Sequence, residues 1–518
     1  MNQIDPRHQP NTPPLLRKGV AYVPLLGHAL QLGLRPFELL SQGRRQFGDV
    51  FSIKLANQMA AMFSGPRANE AYFRAPDDQL SQREVYQFTV PVFGRGVAYD
   101  VQPELMGEQL SFLLPALREA RLRRYVQVFH EELDRYFAAW GNEGTADLYT
   151  TTNELTVFMA GRCLLGKYFR DHMTTEFAAL YHTLEESLNV ISFLAPNAPL
   201  PQMRRRDQAR AEIAKLFGRV TRQRREQGVV EEDFVQSLLE ARYKDGRALT
   251  DDEITGLVLA ALFGGQHTSA ALSAWGVIEA LRNPYVLPPL LREQERVLGE
   301  RDNIAMEDIK AMPTLERLAL ETERTHPPFF LLARKVMRDY SYGKYTVPAG
   351  WIAMVSPWLT HQLPEIWKDP ERFDPERFAP PREEHRKFNY SMITFGGGRH
   401  RCIGLAFGFL QVRVIMNYIL RNYELALVDG NVRPNMTNMV VGPKHPCLVR
   451  YRRRRTRVLS TSGEASPTAN FGVAGESMEA VLDAQAAPAG KCPVAHAGPD
   501  GTPKSDSQAA AVPPSSGN

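Results

Sequence analysis

The chain has 518 residues, 43% of them hydrophobic and 23% charged, with a net charge of +4 and a pI of about 8.7. That is ordinary globular composition with ample apolar material for a large core, and it excludes a fibrous or wholly disordered chain. The mildly basic balance makes no case for nucleic acid, because the runs Arg204 to Arg206, Arg222 to Arg225 and Arg452 to Arg455 are short and scattered, as on solvated faces.

Taken in order, Met1 to Lys18 is polar and proline-rich and is expected to be a flexible segment, 1–18. Gly19 to Leu34 is apolar but broken by Pro24, Gly27 and His28, too short for a transmembrane helix and without a signal-peptide layout. Four cysteines (Cys163, Cys402, Cys447, Cys492) are too sparse for a disulfide framework and fit a reducing compartment, so a soluble cytoplasmic protein without a membrane anchor is expected. Strand-like runs come at Val50 to Leu55 and Ala60 to Ser64. From about 103 to 330 the pattern is mostly helical, with Val126, Phe129, Leu133, Phe137 and Trp140 at helical spacing. Thr250-Asp-Asp-Glu253 is a capping box that opens a helix running to about Arg282, ahead of Asn283-Pro284. Strand signals return from Tyr345 to Pro357. Beyond about 456 the chain is rich in Ala, Gly, Ser and Pro and lacks periodicity, which predicts a disordered tail, 456–518. The tail holds 3 basic and 6 acidic residues, leaving 59 basic against 52 acidic in residues 1–455, a net +7. Its Cys492 and His496 offer two ligands, too few for a metal site. One mostly helical domain, 19–455, is the simplest organisation.

Two segments carry chemistry. In the long helix, Gly264-Gly265-Gln266-His267-Thr268-Ser269 places two glycines where each costs roughly 1 kcal/mol relative to alanine. Close packing against a flat ligand, or a local opening of the helix, would justify them. A lone histidine is most often a surface or satisfied core residue. Between these glycines and Thr268, His267 suits proton transfer near neutral pH. The second segment is Phe395-Gly-Gly-Gly-Arg-His-Arg-Cys-Ile-Gly404. Three glycines let the backbone turn tightly and approach a flat ligand. Backbone amides and the cations Arg399, His400 and Arg401 favour a Cys402 thiolate, a good axial ligand for haem iron, and Phe395 can cover an apolar porphyrin face.

This decapeptide resembles the haem loop of the cytochrome P-450 superfamily. The resemblance implies a mainly α fold with small β-sheets, a triangular helical haem-thiolate domain. Glu321-Thr-Glu-Arg324 resembles the superfamily's Glu-x-x-Arg pair. Arg377, in Phe373-Asp-Pro-Glu-Arg-Phe378, resembles the third member of that buried triad, in preference to the earlier near-copy Pro370-Glu-Arg-Phe373. Within the superfamily, Tyr86 to Asp100, Gly265 to Ser269, Tyr243 to Arg247 and Arg204 to Asp207 resemble signatures of the sterol 14α-demethylases, and the likeness spans about Pro13 to Arg455. It implies haem b with Cys402 as the metal ligand. Gly264, Gly265, Phe395, Gly398 and Arg399 are then expected beside the cofactor, with Tyr86, Arg334 and His400 on its propionates and Tyr99 as a neighbour. It implies a substrate pocket of Phe88, Phe93, Tyr99, Phe263 and Met439, and a proton relay in which His267 pairs with Asp207 beside Thr268. Phe88 resembles members that prefer sterols with one methyl at C-4. Departures are Leu110 and Ser111, where members often carry a basic propionate contact, and Gly264 in place of alanine.

The implied reaction is removal of the 14α-methyl group in three O₂-dependent rounds, with release of formate and a new 14,15 double bond. The chain carries no flavin, nicotinamide or iron–sulfur fingerprint, so electrons are expected from an external ferredoxin and its reductase. Azoles are expected to bind the iron, and the protein is expected to be a monomer of the soluble bacterial type. The rival readings are a hydroxylase of a non-sterol lipid on the same scaffold and a haem-binding protein without turnover.

Overall fold

The computed structural model describes residues 11–454 apart from 18–19, 173, 189–195, 229–232 and 437, so the expected tail and its Cys492 lie outside the described residues. The fold is built on the helix Asp251–Arg282, the central helix. Its start is the expected capping box: the Thr250 hydroxyl accepts from the Glu253 amide at 3.2 Å, and the Glu253 carboxylate accepts from the Thr250 amide at 2.8 Å. Three acidic residues in the first turn face the positive end of the helix dipole. Of its 32 residues 21 are buried, so it runs through the core rather than along it. Its second half joins helices Glu119–Phe137 and Leu405–Asn422 in one apolar cluster around Phe129, Trp275 and Ile415. Its first half joins helices Pro201–Gln227 and Phe234–Glu240 in another around Ile213, Phe217 and Leu259. The helix Leu148–His172 is bent at Gly166, where φ is +85°, and contributes to both clusters.

The sheets lie outside this bundle. A five-stranded sheet has the order β1 (Val50–Leu55), β2 (Gln58–Phe63), β8 (Ile352–Val355), β5 (Leu332–Val336), β3 (Leu80–Ser81). β2 and β8 are parallel and the other neighbours antiparallel. A second sheet pairs β4 (Glu143–Asp147), β10 (Leu448–Arg453) and β9 (Tyr423–Leu427), and β6 (Tyr340–Tyr342) forms a hairpin with β7 (Tyr345–Val347).

One expectation needs correction. Residues 11–17 of the expected flexible segment run beside β1, with the Leu16 amide donating to the Ser52 carbonyl at 3.0 Å and the Ser52 amide to the Pro14 carbonyl at 2.8 Å. Leu16 is wholly buried against Leu39, Phe51 and Ile53, so apolar burial and strand hydrogen bonds fix a stretch that composition alone reads as loose. The strand signal over 345–357 resolves into β7, β8 and a short helix, Pro357–Thr360. Among the described residues no helix is long and apolar enough to cross a membrane.

A buried charge cluster ties the helix Pro313–Thr325 to the segment before the cysteine loop. Glu321 receives two bonds from Arg324, at 2.7 and 2.8 Å, and one from Arg377 at 3.1 Å, with all three side chains fully buried. Arg377 also reaches Glu384 at 2.9 Å. Arg372, the near-copy, serves only through its backbone carbonyl, which accepts from both arginines. The second copy is therefore the third member, as its spacing predicts.

Candidate functional site

Cys402 stands three residues before the helix Leu405–Asn422, and its amide donates to the Phe395 carbonyl at 2.9 Å, closing the loop on itself. Burial pushes the thiol up, while the amides of Gly404 and Leu405 and the charge of Arg401 pull it down without overcoming burial. A metal cation bound directly to the sulfur would favour the thiolate here. Gly398, at φ +60°, lies so close to the helix Pro66–Arg74 that a Cβ would sit 2.3 Å from the Phe73 carbonyl. That glycine is required by protein packing as well as by any ligand.

Opposite the start of the helix Leu405–Asn422 passes the middle of the central helix. The Phe407 ring lies 3.9 Å from where a Cβ of Gly265 would be, and the Ser269 hydroxyl 3.4 Å from that of Gly408. Here the otherwise buried helix shows an accessible stripe, Ala261, Gly264, Gly265 and Thr268, while Leu262, Gln266 and Ser269 are buried. Nothing lies within 4 Å of a Cβ placed on Gly264. The helix is continuous through the glycines, and the Thr268 hydroxyl donates to the Gly264 carbonyl at 3.1 Å, so the opening considered from the sequence is not present.

Tyr86, Tyr99 and Arg334 belong to the same region. The two tyrosine rings stack at 5.0 Å. Burial pushes both phenols up; Arg334 pulls Tyr86 back, and Tyr86 and Cys402 push Tyr99 further, which places Tyr99 near the cysteine. Arg334 is buried, donates to the carbonyls of Tyr72 and Ala75, and stacks on the Tyr72 ring at 4.8 Å. His400 and Arg399 are held by a residue the sequence did not flag: Asp77 takes His400 Nε2 at 2.5 Å and Arg399 at 3.1 Å. These residues fit a planar, dianionic macrocycle carrying a metal: a soft axial donor, an open helix face, aromatic edges and a cluster of cations.

The residues expected to wall a pocket come together in part. Phe93 meets Phe263 edge-on at 5.9 Å, and Phe263 packs on Tyr181, a residue the sequence reading missed, at 4.6 Å. Phe88 is buried beside Tyr86. Met439 is exposed and no described contact brings it to this wall. The Phe93 carbonyl rests on the central helix at Gly256, where a Cβ would come within 2.2 Å of it. The loop Tyr86 to Asp100 is pinned by Gln109, whose buried amide donates to the Gly96 carbonyl at 2.7 Å and to the Tyr243 hydroxyl at 3.1 Å and accepts from the Ala98 amide at 2.9 Å. Tyr243 in turn bonds Glu253 of the capping box at 2.9 Å.

The expected partner of His267 must be corrected. His267 Nε2 lies 2.9 Å from Glu185 Oε1, on the helix Thr174–Glu186, not against Asp207. Asp207 is 61% exposed and is taken by its neighbour Arg206 at 2.7 Å. Burial opposes the charge on Glu185, yet His182 and His267 outweigh it and hold the carboxyl below its usual range. Nothing in the sequence distinguishes Glu185 from other helix carboxylates, which is why it was not singled out.

Residues 18–450 match the family model described as Cytochrome P450. The chain is 39% identical over 450 residues to a sterol 14-demethylase of Arabidopsis thaliana, covering 86% of this chain and 92% of that protein. It is 37% identical to an obtusifoliol 14-alpha demethylase of Sorghum bicolor, covering 83% and 89%, and 35% identical to the lanosterol 14-alpha demethylase of Homo sapiens, covering 83% and 85%. The chain belongs to the cytochrome P450 family, in its sterol 14-demethylase branch. A solved structure, retinoic acid bound cyanobacterial CYP120A1, superposes with a TM-score of 0.76 at 22% identity, covering 86% of this chain and all of that one, and bears out the mainly helical P450 fold. P450 membership carries with it a haem held by a cysteine thiolate and monooxygenase chemistry.

Proposed function

We propose that this P450 removes the 14α-methyl group of a sterol precursor in three O₂-dependent oxidations, releasing formate and leaving a 14,15 double bond. The supporting observation is likeness over more than four-fifths of the chain to relatives that all carry 14-demethylase names. When bound, haem b supplies the oxygen chemistry. Cys402 Sγ would hold its metal, and Tyr86, Arg334, His400 and Arg399 would supply hydrogen bonds and positive charge to its carboxylates. The aromatic wall of Phe88, Phe93, Tyr99 and Phe263 holds an apolar polycyclic substrate and keeps water from it. Phe88 narrows the wall in the manner of members that accept a single C-4 methyl, a modest discrimination for one apolar contact.

Protons reach the site from solvent in this reading. His182, 65% exposed, lies 3.5 Å from Glu185 Oε2, and Glu185 Oε1 lies 2.9 Å from His267 Nε2. His267 then hands the proton toward the open face of Gly264, where the Thr268 hydroxyl, which donates to the Gly264 carbonyl at 3.1 Å, accepts a hydrogen bond at Oγ1. Electrons come from an external ferredoxin and its reductase, drawn to the positive balance of residues 1–455. The test incubates the holoprotein with C-4 mono- and dimethyl sterols, ferredoxin, reductase and O₂, and measures formate. Formate in step with a 14,15-unsaturated sterol, faster for the monomethyl compound, is expected. Hydroxylation of a non-sterol lipid with no formate from any sterol would overturn the proposal.

A further inference from the structure

Arg210 lies on the helix Pro201–Gln227 and is 8% exposed. Its Nη2 donates to the Phe93 carbonyl at 3.2 Å, to the Asp252 carbonyl at 3.4 Å and to Asp252 Oδ1 at 2.8 Å. One nitrogen thus joins three elements: its own helix, the first turn of the central helix, and the loop Tyr86 to Asp100 that carries the aromatic wall. Gly94 makes the approach possible. It stands at φ +106°, and a Cβ there would come within 2.7 Å of Arg210 Nη2 and 3.3 Å of Asp252 Oδ2. Any side chain at 94 would push the guanidinium away from the neighbouring carbonyl.

The contact is not needed to hold the two helices together. Farther along the same helix the Thr221 hydroxyl and the Arg225 guanidinium both bond Asp251 Oδ1, at 3.2 and 2.8 Å. Nor is it arranged for stability alone. Arg210 Nε is buried without a partner among the described residues, which costs free energy, and a buried ion pair adds little over an apolar side chain of similar volume. What Arg210 does fix is the backbone at Phe93. The carbonyl it holds is the one seated against Gly256, and the ring of the same residue meets Phe263 edge-on at 5.9 Å. With its carbonyl gripped from one helix and seated on another, Phe93 presents its ring to the central helix in a single place. Asp252 is 58% exposed, so one arm of the grip is open to water and screened by salt.

We propose that Arg210 is a positioning residue for the substrate: it acts through Phe93, setting that ring against Phe263, and it has to release the Phe93 carbonyl before the loop can move and let a bound molecule leave. The grip is a feature of the fold; the choice of a sterol as the bound molecule rests on the function proposed above.

The test follows the Soret band of the haem-loaded full chain by stopped flow, with a C-4 monomethyl sterol and separately with 4-phenylimidazole, whose ring nitrogen ligates haem iron whatever the natural substrate. Arg210→Gln is expected to release the sterol about tenfold faster and to bind it more weakly in step, with haem content unchanged. Arg210→Lys, which can set one charged nitrogen near the place of Nη2, should restore part of the affinity. Release from the parent should quicken as salt is raised, and Asp252→Asn should speed release and remove that salt dependence. Should Arg210→Gln give no haem-loaded protein, Asp252→Asn decides alone. Release rates in Arg210→Gln and Asp252→Asn equal to the parent's overturn the proposal, as does an Arg210→Gln that lowers the melting temperature and changes neither rate nor affinity. If no sterol shifts the band of the parent, the sterol reading fails, and the phenylimidazole release rates, expected to rise in the same order, still decide the role of Arg210.

Discussion

His267 illustrates how a single side chain acquires a role from its neighbours. Glu185 fixes its ring and connects it to solvent through His182, whereas Asp207 looks outward and is occupied by Arg206. His267→Ala and Glu185→Gln should each slow turnover by ~10²-fold with haem content intact, whereas Asp207→Asn should leave the rate unchanged. Single-turnover kinetics at saturating reductant measure all three. An equal loss for Asp207→Asn would restore the pairing expected from the sequence. Glu323 presents a different case. Burial pushes its carboxyl up to about 8, the nearby Thr394 beside the cysteine loop pulling it back a little. A raised folded pKa means that the native state binds the extra proton, so stability is highest below the ordinary carboxyl pKa near 4.5 and declines as pH rises toward 8. Glu323→Gln should flatten that decline and raise the urea midpoint at pH 8, read from unfolding curves across the range. Residue identity made the cysteine, the glutamate–arginine pair and the histidine legible. Partners such as Glu185, Asp77 and Tyr181 were not, because each is an ordinary residue type brought near by chain folding alone.

Helices and strands were more readable, since their signals are local. The capping box at Thr250 marked the first residue of the central helix, Asn283-Pro284 marked its last, and a strand-like run gave β1 to the residue. What no local pattern carried was the stitching between elements. Gln109 is a wholly buried amide that ties the loop carrying Tyr86, Phe88, Phe93 and Tyr99 to Tyr243 and so to the capping box. Gln109→Ala leaves the Gly96 carbonyl and the Ala98 amide without their partner, a loss of roughly 1–3 kcal/mol. The expected outcome is a lower melting temperature together with weaker sterol binding, followed by the shift of the Soret band. An unchanged sterol affinity would mean that the loop holds its shape by other contacts. Residues 11–17 show the opposite error of local reading. Their polar, proline-rich surroundings suggest looseness, but the burial of Thr12, Pro13 and Leu16 and two strand hydrogen bonds fix them to β1.

At the scale of the whole molecule, the Glu321–Arg324–Arg377 cluster joins the helical bundle to the segment that leads into the cysteine loop. Removing one partner strands a buried charge, at a cost of about 3–5 kcal/mol. Arg377→Ala should therefore yield little haem-loaded protein, and what forms should unfold at lower urea, whereas Arg372→Ala, which keeps its backbone carbonyl, should behave as the parent does. The reduced carbon monoxide spectrum of both variants checks this. The overall architecture was legible because several weak signals, each common on its own, occur in one order. The distribution of apolar surface was not, since exposure depends on what the folded chain leaves uncovered. The notch at Gly256 has one more consequence. The Phe93 carbonyl sits in it like a pawl, and the positions one turn away, Asp252 and Ala260, both carry a Cβ. Lengthwise sliding of the central helix past this loop is thereby blocked, so any rearrangement that admits or releases cargo has to swing the loop outward and leave the rod through the core where it stands.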